Sequence, residues 1–253
     1  MNILIIGDSW AVPNFYGPPG DDPETHISWL LDEAGYSVFN TGQNGSSNFG
    51  ALNRAEDFAE GKEVTGLILK HADSKRHRFP ITDPKYCPQD TLKRPDSCKI
   101  DCIIWFCTSL LRDHESGTPL DIQIAHIMHK TYQKLHELRK KLDWPKLIAI
   151  GGAGPIDEYN LKQYGDLHYC IPSWQAELLG IDIAEYEHVS GALNKSHKFE
   201  SDNLEKFISD AEVVVDAMNH SDLFPDSAHP GKIAHRALFD RLIPVLESIK
   251  NDK

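Results

Sequence analysis

Four short apolar runs in this sequence end in small polar groups. Asp8 and Ser9 follow the run 3–6, Asn44 and Gly45 come after 36–40, Thr108 and Ser109 come after 100–106, and a glycine-rich turn at 151–154 follows 146–150. A fifth cluster, Phe224-Pro225-Asp226-Ser227-Ala228-His229-Pro230, stands near the C-terminus. There an acid precedes a histidine by three residues, and side chains at i and i+3 of a turn can face the same way. Pro230 suits the first position of a helix, which puts His229 at a helix mouth. Serine, histidine and an acid are the parts of nucleophilic catalysis. A serine hydroxyl attacks poorly until a neighbouring base takes its proton. Imidazole titrates near neutrality and needs a partner that fixes its tautomer. A tetrahedral oxyanion needs preorganised donors, and glycine lets a backbone N–H approach without a Cβ in the way.

The elements that would position these groups alternate. The apolar run 3–6, breaking at Gly7-Asp8-Ser9, reads as a buried parallel strand. Residues 24–34 carry Ile27, Leu30, Leu31 and Ala34 at helical spacing, with Gly35 as the stop. A strand at 36–40 enters the polar loop 41–47, and 48–60 reads as helix. Residues 66–70 fit a strand. Residues 71–99 hold Pro80, Pro84, Pro88 and Pro95 among many charges, and are expected to form a surface insertion, a lid rather than a domain. A buried strand follows at 100–106, then a long helix at 120–142 with Ile122, Ile127, Tyr132, Leu135 and Leu138 among its apolar positions, then a strand at 146–150. Residues 155–200 give no clear pattern. Residues 204–218 suit a helix, although Val213, Val214 and Val215 also suit a strand. The last helix starts near Pro230, with Ile233, Ala237, Leu238, Leu242, Val245, Leu246 and Ile249 as its apolar stripe. Strands alternating with helices predict one parallel sheet covered on both faces, with ligands beyond the carboxyl ends of the strands.

Composition narrows the field. The chain has 253 residues, 40% hydrophobic and 25% charged, which fits a single globular α/β domain and excludes whole-chain disorder or coiled coil. Its formal charge of −12 disfavours phosphate backbones, and no basic cluster exceeds Lys75, Arg76, His77 and Arg78, so no nucleic-acid partner is expected. No apolar run approaches the ~20 residues of a membrane span, and the first residues lack the basic region and apolar core of a signal peptide. The expected location is cytoplasmic, with no membrane partner. Five cysteines at irregular spacing, Cys87, Cys98, Cys102, Cys107 and Cys170, are not a disulfide framework.

Gly7-Asp8-Ser9 after the first strand, Gly45 after the second, and Asp226-x-x-His229 ahead of the last helix resemble the blocks of the SGNH hydrolases, or GDSL-type esterases. The blocks span nearly the whole chain. The resemblance implies a flavodoxin-like three-layer α/β/α sandwich, with Ser9 as nucleophile, His229 as base and Asp226 as its orienting acid. It also implies that the backbone N–H groups of Ser9 and Gly45 hold the oxyanion. Asn44 is a candidate substrate contact. One block departs from the family. Its third block carries an asparagine that gives a further oxyanion donor, where this chain reads Cys107-Thr108-Ser109-Leu110-Leu111-Arg112-Asp113. Ser109, Thr108 or Arg112 stands in for it, or the activity is slow or altered. Losing one such donor costs about 10²–10³ in rate in other enzymes.

The expected reaction is hydrolysis of a carboxylic ester with a small acyl group such as acetyl, on a small-molecule or glycan substrate, with no cofactor. The alternative is a non-catalytic SGNH-like binding or assembly protein, and a weaker third option is a phosphoester site on the same sheet. Each residue also has a plain structural use. Ser9 serves as a turn residue, His229 as a helix-start residue and Asp226 as an N-cap. Asp8 is expected to hold the turn, and Arg112 with Asp113 to form a structural ion pair. Gly42 competes with Gly45 for the oxyanion role, and Trp10 is either a pocket wall or core. His126 with His129, and Cys98 with Cys102, lack compact zinc-ligand spacing, so no metal is expected. The turn 151–154 lacks a dinucleotide fingerprint. Oligomeric state is open.

Overall fold

The computed structural model of the chain describes residues 1–8, 11, 26–43, 46–69, 90–108, 113, 120–152, 156, 158–181, 212, 216–224 and 230–252. Within them the elements run β1 (Asn2–Ile6), α1 (Ile27–Glu33), β2 (Ser37–Asn40), α2 (Asn48–Ala59), β3 (Val64–Leu69), β4 (Asp90–Leu92), β5 (Cys102–Cys107), α3 (Leu120–Lys141), β6 (Lys146–Gly151), α4 (Glu158–Lys162), β7 (Tyr169–Ile171), α5 (Trp174–Leu178) and α6 (Lys232–Asn251). The strands form one sheet in the order β4-β3-β2-β1-β5-β6-β7. From β2 to β7 every neighbouring pair is parallel, and β1 sits at the centre, with Ile3 opposite both Val38 and Cys102.

The fully apolar run of β1 is explained by burial on both faces. Alternate residues enter different cores because side chains along a strand point to opposite sides. Leu4 and Ile6 meet Leu52 and Phe58 of α2 and Tyr132 and Leu135 of α3. Ile3 and Ile5 meet Ile27 and Leu31 of α1 and Leu238, Leu242 and Leu246 of α6. The expected α/β/α sandwich is therefore present, with α2 and α3 on one face and α1 and α6 on the other.

Four details differ from the sequence reading. First, β3 begins at Val64 and runs antiparallel to β2, with Asn40 opposite Leu67. Apolar periodicity decides which residues face the core; it carries no information on strand direction. Second, the end of the expected insertion belongs to the sheet. β4 pairs antiparallel with β3, Val64 opposite Leu92, and Leu92 is fully buried. Residues 71–89 lie outside the described residues. Third, β7 stood unread in 155–200, because three residues are too few for a periodic signal. Fourth, the buried stripe of α6 is Ala234, His235, Leu238, Leu242, Leu246 and Ile249, whereas Ile233 is 56% exposed and Ala237 also faces solvent. The polar identity of His235 hid the true phase of that helix.

Gly151 ends β6 where β7 turns into Pro172. A Cβ there would stand 1.7 Å from the Pro172 carbonyl oxygen and 3.0 Å from the Ile156 nitrogen, which itself donates to that oxygen at 2.9 Å. Backbone atoms cannot rotate aside, so Gly151→Ala must push β7 away from β6. We expect a loss of at least about 3 kcal/mol, at the upper end for overpacked sites. Urea unfolding against the parent chain measures it.

Candidate active site

The carboxyl ends of β1, β2 and β5 lie side by side, and each of the three following loops is pinned by buried hydrogen bonds. After β1, a Cβ on Gly7 would meet Phe106 Cβ at 2.7 Å and Ala11 Cβ at 2.8 Å, so glycine lets the chain turn against β5. The Ala11 N–H donates to the Asp8 carbonyl at 3.1 Å, which holds the two described flanks of Ser9 and Trp10 together. Asp8, expected to hold the turn, is buried, as is Ala11. Ser9 and Trp10 lie outside the described residues.

After β2 the chain continues beside β1. The Thr41 N–H donates to the Ile5 carbonyl at 3.0 Å and the Gln43 N–H to the Gly7 carbonyl at 3.2 Å. The Asn40 side chain accepts from the Gly42 N–H at 2.8 Å, and the Arg54 Nη1 of α2 donates to the Thr41 carbonyl at 3.2 Å. Burial lowers the pKa of Arg54. Asn44 and Gly45 lie outside the described residues, but both flanks are fixed. The Ser46 N–H donates to the Gln43 carbonyl at 3.2 Å, and the Ser47 hydroxyl caps α2 by accepting from the Gly50 N–H.

The loop after β5 is tied to the start of α2 by Asn48, which is 1% exposed. Its amide pairs with both backbone groups of one residue. The Thr108 N–H donates to Asn48 Oδ1 at 3.0 Å, and Asn48 Nδ2 donates to the Thr108 carbonyl at 3.0 Å. The Thr108 backbone N–H is therefore committed, and what Thr108 has left for an oxyanion is its hydroxyl. Asp113 acts on the helix, and its expected ion pair with Arg112 falls on a residue outside the described ones. Its carboxylate accepts from the N–H groups of Asn48 at 3.1 Å and Phe49 at 3.3 Å, two of the groups an α-helix leaves open at its N-terminus. Ser109 and Arg112 lie outside the described residues.

The two flanks of the C-terminal block are held together. The Gly231 N–H donates to the Leu223 carbonyl at 2.8 Å, so Leu223 and the mouth of α6 are held together, and Phe224 and Pro230 are buried. Asp226 and His229 lie outside the described residues. One turn into α6, His235 packs on Trp174 with ring centroids 5.7 Å apart, and Trp174 packs on Phe106 at 6.0 Å. Phe106 is the residue against which Gly7 lies. A line of contacts thus joins the turn after β1 to the helix that follows Asp226 and His229.

His235 also faces His26, with ring centroids 4.3 Å apart. His26 caps α1 through Nδ1, which accepts from the Ser28 N–H at 3.1 Å, and this places the ring proton of the neutral form on Nε2. Burial, and then the neighbouring His26, hold the pKa of His235 well below the ordinary histidine value.

Among the described residues no three His, Cys, Asp or Glu side chains gather as metal ligands. Cys98, Cys102, Cys107 and Cys170 are free thiols. Burial raises the pKa of Cys102 and Cys107, and that of Cys170 to about 12, so these three are poor nucleophiles. Asn40, Asn48 and the pair His26–His235 went unnoticed in the sequence. For Asn40 the available signal was an amide closing an apolar strand, a place where an unpaired polar group would be costly.

No family model matches the chain, and no curated protein matches it. Several solved structures resemble it at low identity. A family two carbohydrate esterase from Cellvibrio japonicus shares 16% of residues, with 99% of this chain and 61% of that one aligned at a TM-score of 0.43. An acetyl xylan esterase from Butyrivibrio proteoclasticus shares 12%, with 97% and 64% aligned and a TM-score of 0.42. A family two carbohydrate esterase from Clostridium thermocellum, in complex with cellohexaose, shares 15%, with 99% and 64% aligned and a TM-score of 0.39. This chain spans less than two thirds of the length of each.

Two outcomes are expected from this geometry. Asn48→Ala leaves the Thr108 N–H and carbonyl without their partner in a buried place. At about 1–3 kcal/mol for each stranded group, the loss in unfolding free energy should be about 2–4 kcal/mol by urea titration. The second concerns pH. In the unfolded chain His235 binds a proton below about pH 6.5, while in the folded chain it stays neutral well below that. The unfolded state then holds more protons, so stability falls as the pH drops. Between pH 6.5 and 5.5 the parent should lose about 1 kcal/mol more than His235→Phe, again by urea titration.

Proposed function

We propose that this chain is a serine hydrolase of the SGNH type, cleaving a carboxylic ester with a small acyl group such as acetyl, on a small-molecule or glycan substrate. One observation supports this above the rest. Asp8 and Ala11 on either side of Ser9, the flanks of Gly45 and the Thr108 backbone follow the carboxyl ends of the central strands, and His235 through Trp174 to Phe106 ties the helix after His229 to the same strands.

In this reading His229 accepts the Ser9 proton as Oγ bonds to the acyl carbon, and Asp226 holds the imidazole in the required tautomer. The carbonyl π electrons move to oxygen, and backbone N–H groups of Ser9 and Gly45 receive the charge. A hydroxyl of Ser109 or Thr108 supplies the third donor, since the Thr108 N–H is engaged by Asn48. Collapse of the intermediate breaks the bond to the leaving oxygen, which takes the proton from His229. Water then attacks the acyl-enzyme by the same route, giving the free acid and restoring Ser9. Asn44 lies beside this centre in sequence as a substrate contact.

The test is turnover of p-nitrophenyl acetate, with longer acyl esters in parallel. Ser9→Ala and His229→Ala should each lower kcat by at least 10³-fold, on the order seen when a triad member is removed elsewhere. Ser109→Ala should lower kcat at least about tenfold if its hydroxyl is the third donor. If no ester in the panel turns over above the His229→Ala background, the chain is a binding or assembly protein on this fold.

A further inference from the structure

We propose that Asn40 is a positioning residue that ties the chain leaving Ser9, at Ala11, to the entry of the segment carrying Gly45, at Gly42, an inference that rests on the hydrolase reading above. Asn40 is the last residue of β2, paired with Ile5, and is 2% exposed. Its amide makes three connections. Nδ2 donates to the Ala11 carbonyl, two residues after Ser9, and to the Ser28 hydroxyl of α1 at 2.9 Å. Oδ1 accepts from the Gly42 N–H at 2.8 Å, at the entry to the Asn44-Gly45 loop. A carbonyl can only accept and a backbone N–H can only donate, so Ala11 and Gly42 together fix which way the amide faces.

No other side chain of that size offers two donors and an acceptor in one plane. Aspartate keeps the bond to Gly42 but sets a carboxylate oxygen against the Ala11 carbonyl. The backbone of Asn40 has little room to shift in response, because β3 lies close behind it. A Cβ on Gly66 would come within 2.4 Å of the Asn40 carbonyl oxygen. Ala11 is buried, as is Ser28. The side chain thus links the chain leaving Ser9 to the entry of the segment carrying Gly45, with α1 as the anchor. Oxyanion donors act through position, and small misplacements carry large rate costs.

The experiment compares the rate of labelling by a fluorophosphonate probe, together with kcat and KM on p-nitrophenyl acetate, in four chains: the parent, Asn40→Asp, Ser28→Ala and Leu246→Ala. Leu246 lies in the core late in α6 and opens a cavity away from this edge, so it reports loss of stability alone. We expect Asn40→Asp to label at least tenfold more slowly than the parent and to lower kcat similarly, with KM within about threefold. Ser28→Ala should slow labelling about threefold by freeing one end of the amide. Leu246→Ala should label at the parent rate below its melting temperature. A parent chain that neither labels nor turns over removes the hydrolase reading itself. A parent that labels, with Asn40→Asp at the same rate or with Leu246→Ala slowed equally, overturns the role of Asn40. Should Asn40→Asp fail to fold, Ser28→Ala decides: parent-rate labelling overturns the inference, and slowing supports it.

Discussion

Where parallel strands end, the backbone loses its ladder partners while it is still buried, and every stranded peptide group must find another partner. That demand shapes the whole carboxyl edge of this sheet. Two asparagine amides meet it. Asn40 serves the turn after β1 and the loop after β2, and Asn48 serves the loop after β5. A short amide carries donors and an acceptor at one end and can imitate a missing strand, which neither an apolar nor a purely acidic side chain can do. The loops that carry the candidate chemistry are therefore held by groups that do no chemistry themselves.

The two apolar cores supply the frame on which those amides act. β1 divides its side chains between them, and α1 and α6 pack together on one face. That pairing brings the start of α6 close to the N-terminal end of α1. α6 places His235 against His26 and Trp174, and so carries the chain that follows Asp226 and His229 to the edge reached by the turn after β1. Keeping His235 neutral in this place makes the frame sensitive to acid, a consequence of building the junction from imidazole rather than hydrocarbon.

The sheet's centre was legible because its strands are buried on both faces and read as unbroken apolar runs, as at Ile3 to Ile6 and at Ile103 to Phe106. The edges were less so. β7 has three residues, β4 lies in a charged, proline-rich stretch, and the reversal of β3 leaves no trace in composition. In α6 the phase was misread because His235, a polar residue, occupies the core where Ile233 was expected. Of the candidate site, Asp8 and Thr108 were placed correctly at strand ends, and both are buried there. The helix partner of Asp113 was not legible, since it lies far away in sequence. Ser9, Asn44, Gly45, Ser109, Asp226 and His229 rest on the sequence and on the elements beside them.

The proposed hydrolase requires that the first turn and the C-terminal block hold a hydroxyl and an imidazole together. A crystal structure of the chain after reaction with a fluorophosphonate tests it directly. The account predicts a phosphonyl group on Ser9, its oxygen directed at the Gly45 N–H, and a His229 ring nitrogen within about 2.6–3.2 Å of the serine oxygen or the adduct. Unmodified Ser9, or a His229 ring facing away across packed side chains, would contradict it.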